Sequence, residues 1–157
     1  MKKQNLHEYF MSCAIAEAKK GVDNKDGGPF GAVIVKDNKI IAKGHNQVIK
    51  KNDPTCHGEM QAIRSYCKKL HTYNLSGCVI YTTGEPCLMC LCACMWANIK
   101  KIYFGCTISE NAKIGFRDNA FFNKLSSKKP KGYLKQIMHD ECWELFEYYN
   151  KTNSQKY

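Results

Sequence analysis

The apolar positions in the first third of the chain follow two different periods. Between residues 6 and 20 they recur every third or fourth position, which predicts an amphipathic helix that ends at Gly21. The apolar run 29–35 then predicts a buried strand, and residues 39–44 predict its partner. Asp37-Asn38 lies between the two runs, and both residues tolerate a positive φ, so a tight hairpin turn is expected. The first helix is expected to pack on this sheet.

Helical and strand-like patterns alternate through the rest of the chain. Helices are predicted at 57–70, at 86–97, with Pro86 at the first helical position, and at 141–149. Strands are predicted at 78–83, 101–106 and 133–139. A loop is predicted at 45–54, and a loop with a short helix at 111–123. Strands separated by helices favour parallel pairing, whereas the hairpin adds an antiparallel edge, so the sheet is expected to be mixed. The chain shows no repeat or linker, which indicates a single α/β domain over 1–157 with a five-stranded mixed sheet.

The composition is that of an ordinary globular protein, with 44% hydrophobic and 24% charged residues. Most of the ten cysteines lie in apolar runs, where a free thiol behaves as a small hydrophobic side chain. Neither a secretory signal nor an apolar run of membrane-spanning length is visible. These features predict a reduced protein in the cytoplasm without a membrane partner.

The formal net charge of +10 comes almost entirely from lysine. A nucleic-acid partner would require a basic surface of this kind. Scattered pairs such as Lys19-Lys20 and Lys50-Lys51 are also typical of solvated helix ends and loops. The charge therefore leaves a nucleic-acid partner and a plain solvated surface both open.

Two short motifs carry the candidate chemistry. Cys87 and Cys90 are separated by two residues, so both thiolates can face one cation from the first turn of a helix, where the helix dipole favours ionised sulfur. His57 can supply a third ligand. A lone C-x-x-C can arise by chance in a chain rich in cysteine, but here H-x-E precedes it at 57–59. Together they match the H-x-E…P-C-x-x-C pattern of zinc-dependent base deaminases.

Three protein ligands leave the fourth position of a zinc ion open to water, as in catalytic rather than structural sites. Zinc lowers the pKa of that water and so provides a nucleophile at neutral pH. Glu59 lies two residues from a ligand, close enough to move the water proton to a substrate ring and then to a departing amine. The motifs thus predict hydrolytic loss of ammonia from an amino-substituted aromatic ring.

Four neighbouring residues are given structural roles. Glu85 is expected either to support the ligands or to cap a helix. Cys56, Cys92 and Cys94 lie near the motif, but thiols in apolar segments more often pack in a core than bind metal.

Almost the whole chain resembles the zinc-dependent nucleoside and base deaminases of the cytidine/deoxycytidylate deaminase superfamily. The resemblance rests on residues 28–35, 52–55, 57–59, 85–90 and 115–118. The bacterial tRNA adenosine deaminases share the first four blocks in part, whereas 115–118 and the tyrosine that ends the chain favour the bacterial guanine deaminases. This resemblance implies a three-layer α-β-α sandwich and one zinc ion per chain, bound by His57, Cys87 and Cys90.

The resemblance also implies the substrate contacts. Asn46 would hydrogen-bond the purine, and Phe30 and Trp96 would wall the pocket. Asp118 would be a second carboxylate at the amino end of the substrate, contributing with Glu59 to catalysis. On residue pattern alone, Asp118 would be a loop-capping residue.

A homodimer is implied in the same way, with the C-terminal segment, about 141–157, closing over an active site of its own or the partner subunit. Tyr157 would then reach the pocket, although the pattern alone would describe it as a frayed end. Two residues depart from the guanine deaminase branch. Gly58 replaces the usual alanine and is the residue of fungal cytosine deaminases, and Arg117 is a bulkier neighbour of Asp118 than an acidic residue.

The leading hypothesis is therefore the deamination of guanine to xanthine and ammonia. Deamination of adenosine in tRNA is the alternative that the charge favours, although a lid over the pocket would exclude a polynucleotide. Cytosine or guanosine could be deaminated by the same zinc chemistry. A non-catalytic, zinc-stabilised binding fold is disfavoured, because such a site has four protein ligands and no use for Glu59.

Overall fold

The structure is a computed structural model that describes residues 6–127, 136 and 138–152. The described helices are α1 (Leu6–Asp23), α2 (Val48–Lys51), α3 (Gly58–Leu70), α4 (Leu88–Trp96), α5 (Ile108–Lys113), α6 (Asp118–Ser127) and α7 (His139–Thr152). The described strands are β1 (Gly31–Lys36), β2 (Lys39–His45), β3 (Val79–Gly84) and β4 (Lys101–Cys106).

These strands form one mixed sheet in the order β2-β1-β3-β4. β1 pairs antiparallel with both β2 and β3, and β3 pairs parallel with β4, so the expected mixture of directions is confirmed. The described part of the chain contributes four strands rather than the predicted five. Most of the segment predicted as the fifth strand, 133–139, lies outside the described residues, and its last residue, His139, opens α7.

Helices cover both faces of the sheet, which confirms the three-layer arrangement. Successive side chains of a strand point to opposite faces. Ala32 and Ile34 of β1 pack in one core with residues of α3 and α4, whereas Val33 and Val35 pack in a second core with Phe10 of α1. The continuous apolar run in β1 is therefore the mark of a strand buried on both sides.

Several element boundaries differ from the predicted ones. α1 continues past Gly21, because this glycine packs against the ring of His45 rather than ending the helix. The predicted loop 45–54 contains the short helix α2. α4 begins at Leu88, so Pro86 precedes the helix instead of occupying its first position.

The hairpin turn is as expected, whereas the C-terminal region is more helical than expected. Asp37 and Asn38 have φ values of 48° and 58°, which confirms the tight turn between β1 and β2. Residues 111–123 contain parts of two helices, α5 and α6, rather than one short helix. The last predicted helix, 141–149, extends in both directions as α7.

The chain divides into two compact units, residues 1–119 and residues 120–157. The first unit contains the whole described sheet and helices α1 to α5, together with Asp118. The second contains α7 and the segment 141–157 that was predicted to be a lid. Among the described helices, none has the length and apolar character needed to cross a membrane.

Gly44 allows α3 to lie directly on β2. A Cβ atom at Gly44 would stand 2.4 Å from the backbone nitrogen of Ala62 and 2.5 Å from the carbonyl oxygen of Gly58. Both are backbone atoms of α3, so no rotamer change could relieve the contact. Since Gly58 lies between His57 and Glu59, this contact also fixes the start of α3 where the motif residues lie.

Substitution of Gly44 by alanine is expected to push α3 away from the sheet. The free energy of unfolding should fall by about 1–3 kcal/mol, the usual cost of overpacking a tight site. Urea unfolding measures this change, with Lys43→Ala on the exposed face of the same strand as the matched control, expected to change by less than about 0.5 kcal/mol. Equal stability of Gly44→Ala and the wild type would contradict the close packing.

Candidate metal centre and active site

His57 and Cys87 occupy corresponding positions at the starts of two helices. His57 is the N-cap residue of α3 and Cys87 that of α4, both with extended backbone, at φ −71° and ψ 160° and at φ −64° and ψ 168°. Neither side chain caps its own helix. Both are therefore available to bind something else, at the positive end of a helix dipole.

The turn that leads into His57 is held by Asp53. Its carboxylate accepts hydrogen bonds from the backbone N–H and hydroxyl of Thr55, at 2.8 and 2.7 Å, and from the Cys56 thiol at 3.2 Å. The Thr55 hydroxyl is the first of the causes that lower the pKa of Asp53 to about 2. The carboxylate is thus ionised at neutral pH and fixes the backbone that positions His57.

The three predicted ligands come together as a group. The Nδ1 atom of His57 lies 3.5 Å from Sγ of Cys87 and 3.6 Å from Sγ of Cys90. Tetrahedral zinc with Zn–N of about 2.0 Å and Zn–S of about 2.3 Å would place nitrogen and sulfur about 3.5 Å apart. The donor group therefore fits one zinc ion and leaves a fourth position open. No other cluster of this kind occurs within the described ranges.

The two thiols differ strongly in acidity. The hydrogen bond from Cys90 is the main cause that lowers the pKa of Cys87 to about 4, and His57 adds to it. The same coupling, together with burial, raises the pKa of Cys90. Contact with Cys87 raises the pKa of His57. One thiolate is thus present at neutral pH, and binding of a divalent cation would displace the remaining thiol proton.

The other candidate thiols do not join this group. Cys94 is 1% exposed in the core between α4 and the sheet, and desolvation raises its pKa to about 12. Cys56 is also buried, with its thiol on Asp53, whereas Cys92 is exposed. All ten cysteines are free.

Glu59 lies in the first turn of α3 and is 5% exposed. Its Oε1 atom accepts a hydrogen bond from the hydroxyl of Thr82 at 3.3 Å. Burial raises the pKa of Glu59, and the negative charge of Cys87 adds to the effect. A carboxyl group with a raised pKa, next to the donor group but not part of it, is suited to take up and return a proton.

Asn46 follows β2 and is 4% exposed. The side-chain oxygen of Asn46 accepts hydrogen bonds from the backbone N–H groups of Gly28 and Val48, at 3.3 and 3.2 Å. The backbone N–H of Asn46 donates to the carbonyl of Phe30 at 2.8 Å. The oxygen is therefore occupied and the orientation of the amide is fixed. The amide nitrogen is left to act as a hydrogen-bond donor.

A buried polar network supports the segment that carries Asn46. The ring of His45 lies between two carboxylates, with Nδ1 2.7 Å from Glu17 and Nε2 2.8 Å from Asp26. Lys50 contacts the same carboxylate of Asp26 at 3.1 Å. The hydrogen bond with His45 is the first cause that lowers the pKa of Asp26. The network ties α1 and the following loop to the end of β2.

Phe30 and Asp118 lie on the same side of the molecule as the donor group. Gly84, three residues before Cys87, packs against the ring of Phe30, whose other side meets Phe116 edge-on at a centroid distance of 4.6 Å. Asp118 is half-buried, and burial followed by the charge of Cys87 raises its pKa. Asp118 is therefore within electrostatic reach of the predicted ligands.

Trp96, which was predicted to wall the pocket, lies at the far end of α4 from the donor group. Trp96 is 66% exposed at the last position of α4, about 12 Å along the helix from its first turn. Tyr157 lies outside the described residues. Glu85 accepts a hydrogen bond from the backbone N–H of Ile108 at 2.9 Å, so it caps α5, one of the two roles expected for it.

Two neighbours of the site, Thr82 and Phe116, were not predicted from the residue pattern. Thr82 holds Glu59, and Phe116 packs on Phe30. The position of Thr82 could have been inferred from the alternation of side chains along β3. Thr82 lies two residues after the buried Ile80, so both point to the face of the sheet that packs against α3. For Phe116 no periodic signal exists, because it lies in the short connection between α5 and α6.

A mixed sheet between helices, a His–Cys–Cys donor group at two helix starts and a buried glutamate beside it define a zinc-dependent aminohydrolase. In agreement, residues 4–106 match the family of the cytidine and deoxycytidylate deaminase zinc-binding region. This match covers more than half of the chain, and the chain belongs to this family.

Individual relatives extend the comparison. Guanine deaminase from Bacillus subtilis strain 168 is 46% identical to the chain over 119 residues, 76% of each protein. The X-ray structure of guanine deaminase from Bacillus subtilis matches with a TM-score of 0.89 and 38% identity, over 98% of this chain and 99% of that one. The tRNA-specific adenosine deaminase of Aquifex aeolicus strain VF5 is also 46% identical, but over 97 residues, 62% of this chain and 64% of its own.

Proposed function

We propose that this protein hydrolyses guanine to xanthine and ammonia. The likeness to a guanine deaminase over 98% of the chain carries the proposal, because it extends beyond the zinc-binding region into the segment with Asp118. The match to the Aquifex aeolicus tRNA-specific enzyme is equally identical but covers less of the chain, and the tRNA-specific enzymes that match over most of the chain are less identical to it. Guanine deaminases and tRNA-specific adenosine deaminases share the zinc-binding region, so this region does not distinguish the two substrates.

The metal and Glu59 provide the reactive groups. His57, Cys87 and Cys90 would hold the zinc ion, which when bound polarises a water and makes it nucleophilic at neutral pH. Glu59 would take a proton from that water and deliver it to a ring nitrogen of the base, and would then move the second proton of the added oxygen to the departing amine. A C–O bond forms and the C–N bond breaks, so guanine and water give xanthine and ammonia. Thr82 orients Glu59 through its hydrogen bond.

The base is held by residues with complementary chemistry. The Asn46 amide donates to an acceptor atom of the ring, since its oxygen is already occupied by two backbone N–H groups. Asp118 accepts from N–H groups and takes part in proton transfer, and its raised pKa suits such a role. The ring of Phe30, packed on Phe116, forms an aromatic wall.

The proposed assembly is a homodimer in which the segment 141–157 covers an active site, with Trp96 and Tyr157 completing the pocket. Met95 and Trp96, which are 68% and 66% exposed at the end of α4, form an apolar surface that such an interface would bury. A cytoplasmic location, supported by ten free cysteines, is part of the same proposal.

Ammonia release from a panel of bases tests the proposal directly. The value of kcat/KM for guanine is expected to exceed those for adenine, cytosine and guanosine by about 100-fold or more, a ratio typical of sites that hydrogen-bond one ring's polar groups. Activity on cytosine but not on guanine would overturn the choice of substrate and leave the aminohydrolase chemistry intact.

The net charge of +10 favours a second candidate, the deamination of adenosine in tRNA. Such an enzyme must grip phosphates around a flipped base, so its affinity for tRNA would fall steeply with salt. Binding of a tRNA at two salt concentrations, with inosine formation as the readout, decides between the candidates. Inosine formation with no guanine turnover would establish the second.

A further inference from the structure

A buried histidine is held from both sides directly before Asn46. The ring of His45 has a carboxylate at each nitrogen, that of Glu17 at 2.7 Å and that of Asp26 at 2.8 Å. His45 and Asp26 are both buried. A ring held at both nitrogens cannot turn without losing one of these contacts. The residue before Asn46 is therefore fixed in one orientation by groups that the proposed mechanism does not use.

Stability alone does not account for a buried network of this kind. Removal of charged groups from water is costly, and replacement of a buried ionic group by apolar side chains of similar volume is often neutral or stabilising. One use of such networks in proteins is to fix a single arrangement of the segments that carry them. The segments that meet at this network therefore indicate its role.

Three segments meet at Asp26. Its carboxylate contacts the ring of His45 at 2.8 Å and Nζ of Lys50 at 3.1 Å. Its backbone carbonyl also accepts a hydrogen bond from the N–H of Lys50 at 3.0 Å, and its own N–H donates to the carbonyl of Gly21 at 2.9 Å. The loop that follows α1, the end of β2 and helix α2 are thus tied to one another through this residue.

The same three segments enclose the side chain of Asn46. Its oxygen accepts from the N–H of Gly28, in the loop after α1, and from the N–H of Val48, in α2, at 3.3 and 3.2 Å. A Cβ atom at Gly27 would stand 2.0 Å from this oxygen, so the loop lies directly against the amide. The segments that Asp26 joins are therefore the ones that orient Asn46.

The donor atom of Asn46 is not enclosed in the same way as its oxygen. Within the described ranges, the fully buried side-chain nitrogen and oxygen atoms that lack a partner belong to Gln61 and Asn111. The Nδ2 atom of Asn46 has no partner among the described residues and is not one of these atoms. It therefore keeps accessible surface and can meet a ligand.

We propose that Asp26 is a positioning residue for the substrate, acting through His45 and Asn46. By fixing the loop and the helix that hold the Asn46 oxygen, Asp26 directs the amide nitrogen towards an acceptor atom of the base. The inference rests on the proposed function, in which Asn46 binds the ring. An amide that is already oriented binds without the cost of being ordered, so the network acts on substrate affinity rather than on proton transfer by Glu59.

Asp26→Asn tests this role, because it keeps the size of the side chain and removes its charge. The KM for guanine is expected to rise about 10-fold, roughly the value of one substrate hydrogen bond. The value of kcat should stay within about twofold, since loss of an interaction made equally in the ground and transition states raises KM alone. An unchanged KM would overturn the proposal.

Asp23→Asn is the matched control. It makes the same chemical change three residues earlier, in an exposed ion pair with Lys19 at 2.8 Å. It is expected to keep the KM, the kcat and the Tm of the wild type, because exposed pairs contribute little to stability. A rise in KM as large as that of Asp26→Asn would show that the effect is not specific to the buried network, and would overturn the proposal.

A double-mutant cycle separates positioning from a general structural effect. Asn46→Ala removes the amide through which Asp26 is proposed to act. Adding Asp26→Asn to Asn46→Ala should therefore change KM by less than about twofold, whereas independent effects would multiply. A rise of about 10-fold in both backgrounds would show that Asp26 acts on something other than Asn46, and would overturn the proposal.

Replacement of the whole network covers the case in which Asp26→Asn does not fold. Loss of one partner leaves a buried charge uncompensated, whereas replacement of all partners by apolar side chains is tolerated. The triple variant Glu17→Leu, Asp26→Leu, His45→Leu is therefore expected to unfold cooperatively and still to show a KM raised about 10-fold. A folded triple variant with the KM of the wild type would overturn the proposal.

Failure of the proposed function is distinguishable from failure of this inference. If the wild type releases no ammonia from guanine, the proposed function fails, and ¹⁵N NMR of the Asn46 side-chain amide in the zinc-loaded protein tests the positioning without a substrate. One pair of N–H signals in the wild type and Asp23→Asn, with broadened or multiple signals in Asp26→Asn, supports the inference. The same single pair in all three proteins overturns it.

Discussion

Glu59→Gln is expected to retain zinc and to lose deamination. The amide keeps the shape of the side chain and can still pair with Thr82, but it cannot accept and return a proton. General acid–base catalysis contributes about 10²- to 10⁴-fold, and Glu59 is proposed to act at more than one proton transfer. We therefore expect kcat to fall by about 10³-fold or more. Steady-state ammonia release and metal analysis of the same preparation measure both results.

The control for this substitution is Glu8→Gln in the exposed first turn of α1. It makes the same chemical change away from the site and is expected to keep full activity. If Glu59→Gln kept its zinc and every activity of the wild type, the glutamate would have no catalytic role. The protein would then be better described as a zinc-stabilised binding fold.

Cys87→Ala is expected to abolish both metal binding and activity. It removes the thiol with the lowest pKa of the donor group and leaves two ligands. The zinc content, expected to be one ion per chain, should fall to near zero. Loss of metal polarisation, which is worth several kcal/mol, should lower kcat by about 10³-fold or more. Elemental analysis after dialysis and ammonia release measure the two effects.

Cys94→Ala provides the matched control, because it removes a thiol from the same helix one turn beyond Cys90. It is expected to keep one zinc ion per chain and to lose only some stability, since Cys94 packs in the core. Loss of zinc from Cys94→Ala would show that the donor group has been assigned to the wrong thiols. Full zinc content in Cys87→Ala would show the same.

The residue pattern was sufficient for the parts of the site that depend on local structure. The spacing of Cys87 and Cys90 predicts the start of a helix. In the structure α4 begins there, shortly after β3 ends at Gly84. The continuous apolar run in β1 indicated a buried strand, and the structure has helices on both faces. These features follow from periods of two and 3.6 residues, which a sequence displays directly.

Contacts between distant segments were not visible in the pattern. The hydrogen bond from Thr82 to Glu59 and the edge-on pair of Phe30 and Phe116 join residues far apart in the chain. No local period records such contacts. The position of Trp96 shows the same limit, since helix α4 was predicted but the exposure of its last turn depends on what packs beside it.

The sequence separation of 30 positions from His57 to Cys87 would give a bound metal a second effect. A zinc ion bound to both closes this stretch, which includes α3 and β3, into a ring. In the unfolded chain such a crosslink removes conformational entropy in the way a disulfide does, equivalent to roughly 3.6 kcal/mol for a loop of this length. An unfolded chain that keeps the ion would therefore be crosslinked reversibly, without a disulfide. Refolding would then begin from a smaller set of conformations.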